Sequence, residues 1–208
     1  MILKTLVVGP LAVNCYIIAS GTTHEAAIID PGDDAGKITA ALQKDNLKLK
    51  YIILTHAHFD HAGAARELQD ETGAQVMVHE NDALLLKNTA AQAALFGMQT
   101  ASPPKPDYFL KGGDGIKIGD VEMEVIETPG HTPGGISLYV KDAKVVFTGD
   151  TLFWGSIGRT DLPGGDFNTI VHSLKDKLGR LPDDTKVYPG HGDDTTIGLE
   201  KRQNPYFE

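Results

Sequence analysis

The chain has 208 residues, is 41% hydrophobic and carries a formal net charge of −9. That is enough apolar sequence for one domain with a large core, and an acidic balance without a Lys/Arg cluster excludes an ordinary nucleic-acid-binding face. The single cysteine, Cys15, rules out an intrachain disulfide and a cysteine-based zinc site. Cys15 stands in the apolar run Cys15-Tyr16-Ile17-Ile18, where a packed core thiol is expected rather than a nucleophile. No signal-peptide h-region opens the chain and no apolar run approaches about 18 residues. The expectation is a soluble, cytoplasmic, membrane-free protein with one domain over residues 1–208.

Leu3–Val8, Asn14–Ala19 and Ala26–Asp30 read as short strands divided by Gly9-Pro10 and Gly21-Thr22. Asp30, before Pro31-Gly32, is either a turn former or an acceptor that orients a metal-bound histidine. Asp33 or Asp34 can cap a helix running to about Asn46, with Ile38, Ala41 and Leu42 on its apolar face. The apolar run Ile52–Leu54 predicts a buried strand. Ala62–Thr72 predicts a helix ended by Gly73. Gln75–His79 is a strand with a structural histidine at its end, and Asn81–Lys87 is helical. From Asn88 to Asp107 the pattern weakens into an excursion or lid. Val121–Glu127 alternates as a half-exposed strand. Ile136–Val140, Lys144–Phe147 and Lys186–Tyr188 complete the strands, and Phe167–Leu178 is a helical run. Helices between strand groups point to two sheets with helices outside. His24 and His172 are read as solvated or packed.

Ligand-type residues gather where these strands end. His56, His58, Asp60 and His61 follow Ile52–Leu54; in an extended segment the first three share a side, and His61 turns away. His131 lies in Pro129-Gly130-His131-Thr132-Pro133-Gly134, Asp150 follows Phe147-Thr148-Gly149, and His191 follows Pro189-Gly190. Five histidines and two aspartates exceed the needs of one tetrahedral metal. They fall one short of two four-ligand sites unless one carboxylate bridges. Two divalent cations with two aspartates and a bridging hydroxide leave the site net positive, able to polarise an acyl oxygen and to supply hydroxide near neutral pH. Metal-dependent hydrolysis without a protein nucleophile is the reaction class that follows.

The run His56-x-His58-x-Asp60-His61, followed in order by His131, Asp150 and His191, resembles the metallo-β-lactamase superfamily. Asn14-Cys15-Tyr16, Asp30-Pro31-Gly32, Phe147–Phe153, Gly158-Arg159-Thr160-Asp161 and Asn204–Phe207 narrow the resemblance to short glyoxalase II (hydroxyacylglutathione hydrolase) proteins. The resemblance implies an α/β fold of αββα four-layer type and a thioesterase acting on S-lactoylglutathione or a similar small thioester through a metal-bridging hydroxide. It places one metal on His56, His58 and His131 and a second on Asp60, His61 and His191. Asp150 bridges them, and Asp60 also orients the hydroxide as the catalytic residue. The implied cofactors are two divalent ions, zinc ahead of iron or manganese.

Longer glyoxalase II proteins append a helical glutathione-binding domain; here the chain stops soon after Thr195–Glu200, as in the short form. Arg159 stands where longer relatives place a substrate-binding lysine, and Asp161 where they carry an aromatic. Arg159 is therefore read either as a substrate contact or as the partner of Asp161 or Asp166. Leu152, Phe153 and Trp154 are expected at the mouth of the site. The alternative activity is that of a mono-iron persulfide dioxygenase, whose subfamily has a similar Gly-Arg-Thr-Asp run. The expected partner is a small-molecule thioester, with no nucleic acid and no membrane; the oligomeric state is left open.

Overall fold

The strand β2, Val13–Ala19, is buried along its whole length. Its side chains alternate: Cys15 and Ile17 enter one apolar cluster, Tyr16 and Ile18 another. A strand covered on both faces lies between two packed layers. The computed structural model of the chain describes residues 1–208 and shows those layers.

The first sheet runs in the order β1 (Ile2–Val8), β2, β3 (Glu25–Ile29), β4 (Lys48–Ile53), β5 (Gln75–His79) and β6 (Tyr108–Leu110). The second is built from β7 (Gly115–Ile118), β8 (Val121–Glu127), β9 (Ile136–Val140) and β10 (Val145–Gly149). A small hairpin, β11 (Leu152–Phe153) and β12 (Ser156–Ile157), follows β10. Beyond it, β13 (Lys186–Pro189) joins β10 in parallel and β14 (Thr195–Thr196) closes the second sheet. Tyr16, Ile18, Ile29, Ile53 and Met77 of the first sheet meet Met123, Val125, Leu138 and Phe147 of the second. Truncating Ile18 to Ala in this fully buried layer is expected to cost about 2–5 kcal/mol.

Helices cover both outer faces. Ile38 and Leu42 of α1 (Ala35–Lys44) pack with Cys15, Ile17 and Ile28 outside the first sheet. Outside the second, Leu174, Leu178 and Ile197 pack with Val146 and Val187. The fold is the expected αββα sandwich, and Cys15 is a core thiol, fully buried. No helix is long and apolar enough to cross a membrane.

Several local expectations are corrected. The helix over 62–72 is two helices, α2 (Phe59–Ala62) and α3 (Ala65–Thr72). Between them Gly63 lies so close to Gly32 that a Cβ would stand 2.2 Å from the Gly32 carbonyl oxygen, and the Ala64 amide donates to Pro31 O at 2.9 Å. Asp34 precedes α1 in the left-handed region (φ 56) and gives no side-chain cap; its carboxylate accepts the Gly9 amide instead. The weak region after residue 88 contains a helix, α5 (Thr89–Leu95), following α4 (Ala83–Lys87). The run from Phe167 opens as α6 (Phe167–His172), capped by Asp166, then loosens into π and 3-10 turns through Arg180. The last helix is α7 (Ile197–Gln203).

Candidate metal centre

β4, β8, β10 and β13 each run into a loop that carries site residues. After β4 the chain bends at Thr55 and His56 and is extended again at His58 (ψ 149); Phe59 opens α2. Asp60 and His61 therefore come from a helical turn, and the extended alternation expected through Asp60 is broken. Asp30 holds this loop. Its carboxylate accepts the Thr55 amide (2.7 Å), the Thr55 hydroxyl (2.6 Å) and a hydrogen from His61 Nδ1 (3.1 Å). It also occupies a left-handed turn, φ 52, so the turn read from sequence forms and the carboxylate stands where it can orient His61.

Two groups of three side chains result. His56, His58 and His131 point nitrogens at one place; Asp60, His61 and His191 point ligand atoms at another. His58 Nδ1 and His131 Nε2 stand 2.9 Å apart, and His61 Nε2 and His191 Nε2 3.3 Å. Asp150 lies between the groups: Oδ1 is 3.4 Å from His61 Nε2, and Oδ2 is 3.5 Å from His131 Nε2 and 3.7 Å from His191 Nε2. Asp30, His56 and His61 also converge, but Thr55 and His61 Nδ1 already fill the Asp30 carboxylate, so that residue is an outer acceptor.

The chemistry of these atoms fits cations. His56 Nε2 and Asp150 Oδ1 are buried without a hydrogen-bond partner, and such orphans cost about 1–3 kcal/mol each unless something binds them. The rear nitrogens are occupied: His131 Nδ1 by Arg159 O (2.8 Å), His191 Nδ1 by Leu11 O (3.1 Å), His56 Nδ1 by the Thr55 hydroxyl (3.2 Å). Rear bonds of this kind set ring orientation and tautomer, leaving the front lone pair for a metal. Burial and the surrounding imidazoles push His56 well down, and burial with His131 brings His58 down to about 3. His56 and His58 thus offer neutral lone pairs. Burial opposes charge on His61, but Asp150, Asp60 and Asp30 raise it to about 10. Burial likewise opposes charge on Asp60, yet His61 and His191 hold it below the usual carboxylate range.

Supports outside the ligand set were not visible in the sequence. Asp82, fully buried, accepts from Ala57 N (3.0 Å), Thr132 Oγ1 (2.8 Å) and Gly134 N (2.6 Å), tying the His58 loop to the His131 loop. Asn14 donates to Pro189 O and Gly192 O, holding the turn that presents His191. A Cβ at Gly190 would stand 2.2 Å from Asp150 Oδ1, so only glycine lets that turn approach. Asp82 sits in what reads as a plain helix start, and no spacing signals it.

A match to the metallo-beta-lactamase superfamily covers residues 8–191. The chain belongs to that superfamily. It is 41% identical over 196 residues to a hydroxyacylglutathione hydrolase, GloC, of Haemophilus influenzae, covering 93% of this chain and 92% of that protein. The crystal structure of BLEG-1 B3 metallo-beta-lactamase superimposes with a TM-score of 0.93 at 38% identity over 99% of both chains. That of TTHA1623 in a di-iron-bound form gives 0.90 at 40% identity, over 98% of this chain and 99% of that one.

In this superfamily member the two groups open into a cleft of about 550 Å³. His58, Asp60, His131, Asp150 and His191 form its floor; Leu85, Leu95 and Phe96 stand on one side and Leu162 and Pro163 on another. Arg159 lines it too, with Nε and Nη2 each 2.7 Å from the Asp161 carboxylate, so the ion pair read from sequence forms. The expected aromatic mouth is corrected. Leu152 is buried in the core, Trp154 projects to solvent, and Phe153 meets only the edge of His191, with ring centroids 6.2 Å apart. The wall comes instead from α4 and α5, because β11 and β12 turn back as a hairpin.

Proposed function

We propose that the chain is a binuclear metal-dependent thioesterase of glyoxalase II type, hydrolysing S-lactoylglutathione or a similar small thioester. The observation that carries the reading is Asp150 set between two three-residue groups at the floor of an apolar cleft. His56, His58 and His131 would hold one ion, Asp60, His61 and His191 the other, with Asp150 shared. Two divalent ions there, zinc ahead of iron or manganese, would supply Lewis acidity and a water that ionises near neutral pH.

The protein's own part is positional. Asp60 Oδ2, 3.5 Å from His191 Nε2, faces the same space and is placed to accept a hydrogen from the attacking water and aim it. Arg159 at the rim can meet an anionic tail. Every histidine and aspartate on the cleft floor belongs to one of the two groups or to Asp150 between them, which leaves no spare acid to protonate a leaving group. A thiolate leaves without a proton and an amine does not, so thioesters suit this floor better than amides. Identity with GloC supports the same substrate class. A small-molecule partner and the reducing cytoplasm fit the acidic surface and the one buried thiol.

The test is thiol release from S-lactoylglutathione by metal-loaded protein, with a β-lactam run alongside and chelated protein as control. Release dependent on metal supports the reading. β-lactam turnover with no thiol release would replace it with the lactamase activity named for BLEG-1.

A further inference from the structure

The cleft that leads to the site is built for something apolar. From α4 and α5 it is lined by Leu85, Leu95 and Phe96, and from the loop after Arg159 by Leu162 and Pro163. Leu95 is 83% exposed and Phe96 50%. Large apolar side chains left in water beside a site mark a surface that an apolar group covers on binding. Phe96 also packs on Phe59, between His58 and Asp60, with ring centroids 5.6 Å apart, so the apolar wall is continuous with the site floor. Among the lining residues Arg159 is the one cation, and both its Nε and Nη2 are engaged by Asp161.

A thioester has two arms. Common biological thiol carriers bear carboxylates or phosphates, which a paired arginine on a chain of net charge −9 does little to attract. The acyl arm is the one that can lack charge. We infer that this wall receives the acyl arm, and that the substrate class is thioesters with an unbranched apolar acyl chain longer than lactoyl. Leu85, Leu95 and Phe96 are then specificity-determining residues. The inference rests on the thioesterase reading above.

The experiment is a series of glutathione thioesters (acetyl, butanoyl, hexanoyl, with lactoyl as reference) given to the metal-loaded protein, reading kcat/KM. Covering each added methylene should raise kcat/KM about fourfold, or roughly 200-fold from acetyl to hexanoyl. Leu95→Ser and Phe96→Ser should shrink the hexanoyl-to-acetyl ratio at least tenfold. Leu84→Ser, on α4 next to Leu85, at 71% exposure and outside the cleft lining, should keep it. If lactoyl and acetyl thioesters are hydrolysed but the series is flat or falling in the wild-type protein, the acyl-chain inference is overturned and the thioesterase reading stands. If no thioester is hydrolysed, the thioesterase reading falls and takes this inference with it. Because the wild-type series decides alone, a variant that fails to fold leaves the outcome intact.

Discussion

The side-chain oxygen of Gln92 accepts the amide hydrogen of Phe59 at 3.1 Å. The Gln92 amide nitrogen also reaches Ala57 O at 3.4 Å and Leu85 O at 2.7 Å. One side chain of α5 therefore clamps the peptides on both sides of His58 and ties them to α4. With Asp82 on the Ala57 amide, His58 is held from outside the ligand set by two residues of the segment between β5 and β6.

Gln92→Ala should loosen His58 without removing a ligand atom. The expected outcome is roughly tenfold weaker binding of one metal ion, in the range known for supports of metal ligands, with the fold retained. Chelator competition on wild type and variant measures it. Equal affinity at both ions would show that the clamp does not position His58.

Asp150→Ala removes the group shared between the two sets and leaves His61 Nε2 and His131 Nε2 without the carboxylate 3.4 and 3.5 Å away. Metal content and turnover should fall together, activity by at least 10³-fold, as expected for loss of a group that acts with the others as a unit. Elemental analysis beside thiol-release kinetics tests this. The same analysis on anaerobically prepared wild type should give two ions per chain; one tightly held iron alone, with oxygen uptake on glutathione persulfide, would favour the dioxygenase alternative.

The layers and the convergence of the seven site residues were legible in the sequence, for a physical reason. Strand alternation and strand-end ligands are local patterns: Val121, Met123 and Val125 face in while Glu122 and Glu124 face out, as their spacing says. What was not legible depends on tertiary contact. Gly63 interrupts a good helical pattern because Gly32 O lies against it. Asp82 and Gln92 matter only because their chain segment folds back onto 57–59, and nothing in an Ala-rich stretch announces that. The cleft wall was assigned to Leu152–Trp154 by sequence proximity to Asp150, whereas the chain after Asp150 turns back as a hairpin and α5 takes the place.

Arg159 and Asp161 form an exposed two-point ion pair that limits what Arg159 can offer a substrate. Asp161→Ala releases the guanidinium at the rim of the cleft. KM for an anionic thioester should then fall severalfold with kcat nearly unchanged, because that contact is similar in ground and transition states. Arg159→Ala should raise KM for the same substrate by a smaller factor, because the guanidinium is already engaged by Asp161. No KM change in either variant would leave Arg159 as a loop residue whose carbonyl supports His131.

Metal loading should depend on pH differently at the two groups. In the metal-free chain His61 is opposed by burial but raised to about 10 by Asp150, Asp60 and Asp30, so it holds a proton at neutral pH. An ion entering beside Asp60 and His191 must displace that proton. His191 is opposed by burial but raised by its bond to Asp60 and by Asp150, so it adds to the proton load, and the apparent affinity should rise at least tenfold for each pH unit near neutrality. His56 and His58 are pushed down by burial and by neighbouring imidazoles, so at neutral pH neither carries a second proton that an ion must displace, and loading there should depend on pH less steeply from pH 6 to 8. The sign for stability follows from the same shift. The folded pKa of His61 lies above its ordinary 6.5, so its contribution to the metal-free fold is full below about pH 6.5 and is lost as pH rises through 10. Chelator competition at pH 6, 7 and 8 should resolve one ion with a steeper pH dependence than the other, with at least one proton released per chain in weak buffer when the steeper one loads. Two ions with the same slope would show that the carboxylates around His61 do not hold a proton there, and that the two groups are not electrostatically distinct.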